Sequence, residues 1–327
     1  MVTKRKNGAI RIRITGERLL WLILGIGLIA LLCLTGLGLW LSKSGLNPSL
    51  LALSGRMLID KPRPNSDDYD DMFIVNANGS GLTPLTDNLS LHYDAVWSPD
   101  GKQIAFVGLP NHSSSPKIYI MNVDSSNLHR LTASGERDGE ASPSWSPDGQ
   151  IIAYENYNDS SKADPYTIRT IRFDGTNPVS LTTGQFNCEH PVWSPDGQFI
   201  AFQSMLNGPE LYVMRPNGSD AHRILDKRVN ADFSWSPDSK RLAFTTIETS
   251  SSLSIYIVNL DGTNLVRLLP STMNVSNPQW SLDGQKIAFE WNHDPQHFGI
   301  YMISVSGGDP IEVMPHNDQV RLMAWGQ

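Results

Sequence analysis

The sequence predicts an all-β body, a six-bladed β-propeller of four-stranded antiparallel blades, preceded by one transmembrane α-helix. Three observations predict it. A ten-residue phrase recurs five times at a spacing suited to a blade, a strand-turn-strand phrase follows each copy, and 24 uncharged residues precede the first copy.

Residues 1–18 form a basic tail, with Lys4, Arg5, Lys6, Arg11, Arg13 and Arg18 against Glu17. Residues 19–42, LLWLILGIGLIALLCLTGLGLWLS, carry no charge and are long enough to cross a bilayer. At helical rise Trp21 and Trp40 stand roughly 29 Å apart, as an aromatic belt would. A cleavable signal would have a shorter apolar core and a small-x-small site, and neither is present. Leu32 precedes Cys33 where a lipoprotein signal would carry a small residue. The cationic excess ahead of the helix, against Lys43 alone just after it, predicts a cytoplasmic N-terminus and a body that is periplasmic or extracellular. Residues 43–50 then serve as linker and residues 51–327 as the propeller.

The phrase reads WSPDGKQIAF from Trp97, WSPDGQIIAY from Trp145, WSPDGQFIAF from Trp193, WSPDSKRLAF from Trp235 and WSLDGQKIAF from Trp280, at spacings of 48, 48, 42 and 45 residues. Such a period, with several short strands per copy, is that of propeller blades. In each turn the proline presets φ, the aspartate (Asp100, Asp148, Asp196, Asp238, Asp283) bonds local backbone, and the glycine accepts a left-handed conformation. Ser239 replaces that glycine and Leu282 replaces the proline. The second phrase, such as IYIMNVDSSNLHRLT from Ile118 or IYIVNLDGTNLVRLL from Ile255, adds a strand, a turn and a short strand, giving four per copy.

The ends of the body supply the sixth blade. Met323-Ala324-Trp325 reads as an inner strand 45 residues beyond Trp280, and Gly55-Arg56-Met57-Leu58-Ile59 reads as a second strand lacking its inner partner. Pairing the two closes the ring without free edges. The tryptophans Trp97, Trp145, Trp193, Trp235, Trp280 and Trp325 each stand ahead of a tight turn or at its equivalent position, which predicts packing between blades.

The phrases WSPDG-x-x-IAF and IYxMNxDG resemble the repeat of the TolB-like propeller family across essentially all of residues 51–327. The resemblance implies a non-catalytic envelope module that binds a protein or peptide partner, in transport, sensing or scaffolding. The chain departs from that family's pattern in having an apolar helix and a short linker where TolB-type proteins have a separate domain and are exported in soluble form.

Composition excludes several classes. Residues 51–327 carry a formal charge of −13, the opposite of what phosphate neutralisation needs, so nucleic acid is not a predicted partner. Cys188 is the body's sole cysteine, which excludes an internal disulfide there. No phosphate-binding glycine loop, dinucleotide fingerprint, Cys-x-x-Cys or Gly-x-Ser-x-Gly elbow occurs, and no cofactor is predicted.

Three residues before each blade tryptophan stand Asp94, Ser142, His190, Asp232, Asn277 and Leu322, five of them polar in strands otherwise built for packing. By ring symmetry they surround the channel mouth, with His92, Glu140, Glu189 and Arg321 close by. Such a ring suits solvated lining, a peptide contact or a metal site, and the spacing does not separate these. The leading expectation is a partner contact at this loop-rich face. The alternative is a propeller enzyme, a metal-assisted lyase or hydrolase acting on polysaccharide through a His/carboxylate cluster.

Overall fold

The computed structural model describes residues 2–4, 10–12, 55–62, 70–86, 92–109, 115–133, 135, 138–158, 166–183, 187–230, 232–249, 252–270, 273–294, 297–314 and 320–326. The predicted membrane helix, residues 19–42, and the linker, residues 43–50, lie outside them. Among the described residues no helix is long and apolar enough to cross a membrane.

The chain divides into two compact units, Met1–Leu53 and Ser54–Gln327. In the first, Val2–Lys4 pairs antiparallel with Ile10–Ile12. The second contains six antiparallel sheets of four strands among the described residues. Blade 2 is typical, with His92–Trp97 innermost, then Gln103–Gly108, Lys117–Asn122 and His129–Arg130. The inner strands of blades 3 to 6 are Asp138–Trp145, Cys188–Trp193, Phe233–Trp235 and Val275–Trp280. Blade 1 takes its inner strand from the far end of the body. Arg321–Gly326 lies against Arg56–Pro62, with Trp325 opposite Met57. The predicted six-bladed ring, closed by its two ends, is the observed one.

The turns form as their residues dictate. The Ser98 hydroxyl donates to Asp100 Oδ1 at 2.7 Å, the Lys102 amide donates to the same oxygen at 3.1 Å, and Gly101 takes φ 64°. Asp148, Asp196, Asp238 and Asp283 repeat the arrangement. The donated bonds, first of all from the serine hydroxyl, hold the carboxyls of Asp100, Asp148, Asp238 and Asp283 below the usual range. Ser239, in the glycine's place, adopts φ 59°, and its hydroxyl accepts the amide of Asp196 from the preceding blade at 3.0 Å.

The core lies between blades. Phe202, Phe244 and Phe289, from the Ile-Ala-Phe and Leu-Ala-Phe runs, are fully buried, and each contributes about 2–3 kcal/mol. Trp97, Trp145, Trp235, Trp280 and Trp325 are buried, while Trp193 is half-buried. Every inner strand therefore runs from a face of inter-blade loops, the loop face, to a face of tight turns, the turn face.

Candidate functional site

Near the loop face the inner strands are interrupted. Their pairing with the second strand slips between Tyr93 and Val96, Ala141 and Ser144, Glu189 and Val192, Ser276 and Gln279, and Leu322 and Ala324. Each slip is a β-bulge, which leaves a residue unpaired and re-aims its side chain. Asp94, Ser142, His190 and Asn277 stand in these bulges with φ of 53°, 51°, 53° and 52°. Left-handed backbone costs a non-glycine residue about 1–2 kcal/mol, least for short polar side chains. Polar residues therefore occupy these otherwise apolar strands.

The bulge residues touch one another from blade to blade. The amide and hydroxyl of Ser142 donate to Asp94 Oδ2 at 3.2 and 3.3 Å, and Ser142 Oγ lies 2.8 Å from His190 Nδ1. Across the ring, Asp232 Oδ2 accepts the Asn277 amide and Asn230 Nδ2, both at 3.3 Å, and Asn277 Nδ2 donates to the Leu322 carbonyl. Two arcs result, Asp94–Ser142–His190 and Asp232–Asn277–Leu322. Each link crosses to the next blade.

Behind the arcs stand two carboxylates that sequence reading did not single out. Glu155 Oε2 accepts the His190 amide at 3.3 Å. Glu290 accepts the Leu322 amide at 2.7 Å and the Ser276 hydroxyl at 3.1 Å. Burial pushes both carboxyls up to about 7. His190 opposes the rise at Glu155 and the Leu322 amide opposes it at Glu290. Burial likewise raises Glu189 and Asp232, and raises Tyr93 to about 12, helped there by Asp94 and Glu155. Both glutamates directly follow an Ile-Ala-aromatic run, where Val107, Gln203 and Thr245 stand in other blades. A charge next to a fully buried aromatic was the available signal.

Of the predicted site residues, Asp94, Ser142, His190, Asp232 and Asn277 form the arcs. Glu189 acts electrostatically on Glu155, and Arg321 on Glu290. His92 and Glu140 make their contacts elsewhere. His92 Nε2 lies 3.3 Å from Asp60 Oδ1 in a buried pair, and buried Glu140 accepts the Thr132 hydroxyl.

The chemistry of this mouth is that of an acceptor-rich, negative surface. The carboxyls of Asp94, Glu155, Glu189, Asp232 and Glu290 outnumber His190 and Arg321, and because burial raises four of them their field grows as pH rises and they ionise. A hydrolytic triad requires a carboxylate on the imidazole. Here the carboxylate of Asp94 touches the serine instead. Among the described residues no three His, Cys, Asp or Glu side chains converge to hold a metal ion.

The TolB beta propeller domain model matches residues 63–163 and 152–324. Among solved structures, TolB from Acinetobacter baumannii is similar at 20% identity and a TM-score of 0.71, over 88% of this chain and 70% of that one. The putative TolB from Agrobacterium tumefaciens is similar at 18% and 0.61, over 80% and 89%. An oligogalacturonate lyase in complex with manganese is similar at 13% and 0.58, over 80% and 74%. No curated protein matches the chain. At these identities the structural likenesses establish the fold.

Proposed function

The chain belongs to the TolB beta propeller family, and from that premise we propose that it is a non-catalytic binding platform. It takes a cationic, donor-rich segment of a partner protein at the channel mouth, through Asp94, Ser142, His190, Asp232 and Asn277. One observation carries this reading: five strained or buried polar residues from successive blades are hydrogen-bonded into two arcs, backed by the buried carboxylates of Glu155 and Glu290. Strain of this kind persists where the surroundings over-determine it, and it clusters at binding sites. The basic tail and uncharged segment support a further part of the reading, in which the ring is held on the outer side of a membrane.

The test is capture of partners from envelope extracts by the detergent-solubilised full chain. Asp94→Asn with Asp232→Asn keeps the acceptor geometry and removes two charges. It is expected to lower capture at least tenfold, and unchanged capture would refute the reading.

The alternative, a metal-assisted lyase or hydrolase on polysaccharide, draws on the likeness to the manganese-bound oligogalacturonate lyase. It needs His92 and His190 in one coordination sphere, and the two are engaged with Asp60 and Ser142 respectively. These engagements are what make the binding reading the preferred one.

A further inference from the structure

On the turn face, adjacent blades meet through a repeated contact far along the strands from the bulges. At two junctions the residue opening the second strand, just ahead of the Ile-Ala-Phe run or its equivalent, is an arginine that lies over the tryptophan of the next blade. Between blades 1 and 2 that residue is Arg56. Its Cζ lies 4.8 Å from the ring centroid of Trp97, and its Nη2 is 3.4 Å from the Gly101 carbonyl in the tight turn. Between blades 5 and 6 it is Arg241, with Cζ 4.7 Å from the Trp280 centroid. Between blades 4 and 5 the equivalent residue is Phe199, and Arg215 places its Cζ 4.5 Å from that ring. Among the described residues a guanidinium thus lies over an aromatic face beside these turns three times, twice on a tryptophan of the next blade and once on Phe199 within blade 4.

Between blades 2 and 3 the equivalent residue is Gln103, whose amide is directed to Asn122 Oδ1 at 3.4 Å. The tryptophan is Trp145. Here a groove of about 400 Å³ opens, lined by Asp100, Gln103, Trp145, Asp148, Gln150 and Phe173 among others, and among the described residues no basic side chain lines it. Phe173 is 38% exposed. The matching groove between blades 4 and 5, of about 720 Å³, already contains Arg215 and Lys240.

We propose that the groove between blades 2 and 3 takes an arginine side chain of a partner protein, separately from the channel mouth. The guanidinium stacks on the exposed ring of Phe173 at the groove's rim, as that of Arg215 stacks on Phe199. Its N–H groups reach the Gly149 carbonyl, the counterpart of Gly101, and the rim carboxylates of Asp100 and Asp148. Arginine is favoured over lysine because a planar, weakly hydrated cation stacks while donating in its plane. The acidic body complements it.

The test uses the full chain in detergent, labelled with 5-fluorotryptophan, with the Trp145 signal assigned through Trp145→Phe. Capped Gly-Arg-Gly is expected to shift that signal saturably, and the citrulline counterpart, isosteric and neutral, to bind at least tenfold more weakly. Gln103→Arg fills the groove with the chain's own guanidinium. It is expected to abolish the shift while leaving the other tryptophan signals in place. Phe173→Ala, a change at an exposed position, is expected to weaken binding several-fold. A missing shift in the wild type, an equal response to the citrulline peptide, or a response that survives both substitutions overturns the proposal.

Discussion

Glu155 and Glu290 are ordinary residues in an unusual place, buried beside other carboxylates with one or two donors each. Their folded pKa of about 7 lies above the ordinary glutamate value of 4.5. Between those limits the folded chain keeps a proton that the unfolded chain has lost. The contribution of these two groups to stability is therefore greatest below 4.5, drains as pH rises toward 7, and stays reduced above it. Glu155→Gln and Glu290→Gln keep an acceptor for His190 and Leu322 and remove the penalty. Each is expected to stabilise the protein by about 1–3 kcal/mol at pH 8 and to change little at pH 4.5, checked by denaturant unfolding at both values. Destabilisation at pH 8 would show that the charged forms are held better than burial implies. These residues escaped sequence reading because a lone glutamate in a strand reads as solvent-facing, and only the neighbouring blade makes it buried.

The elements show where sequence suffices and where it stops. Turns, second strands and ring closure were legible because Ser-Pro-Asp-Gly fixes its own local geometry and recurs at a blade's spacing. The bulges were not, because a one-residue slip is set by pairing with the partner strand. Counting back three residues from each tryptophan still picked out the residues of the two hydrogen-bonded arcs, since a repeat places equivalent residues equivalently. Period-two alternation failed across the bulge, and so His92 and Glu140, close in sequence to Asp94 and Ser142, turn to Asp60 and Thr132. The inner strand of blade 1 closes the ring, burying Leu322, Ala324 and Trp325 and pairing with Arg56–Pro62. Deleting residues 321–327 is expected to cost about 5 kcal/mol or more, from lost apolar burial and a newly exposed edge. Thermal melting followed by circular dichroism checks this, and a melt within a few degrees of the full chain's would contradict it.

At the scale of the whole molecule, charge is the dominant asymmetry. A body of −13 draws cationic partners over a distance that salt shortens, from roughly 14 Å at 50 mM to about 4 Å at 500 mM. Partner capture is expected to fall about tenfold across that range. Capture indifferent to salt would point to an apolar contact instead. The pairing of Met57 with Trp325 has a consequence for how the protein is made. Every other blade is translated between these two residues, so the first strands of the ring wait, one edge open, for a partner synthesised after all of them. The ring cannot close during synthesis of its own middle. Its last step is a long-range encounter of the slow kind, and until then the nascent chain presents an unpaired edge that other strands can join.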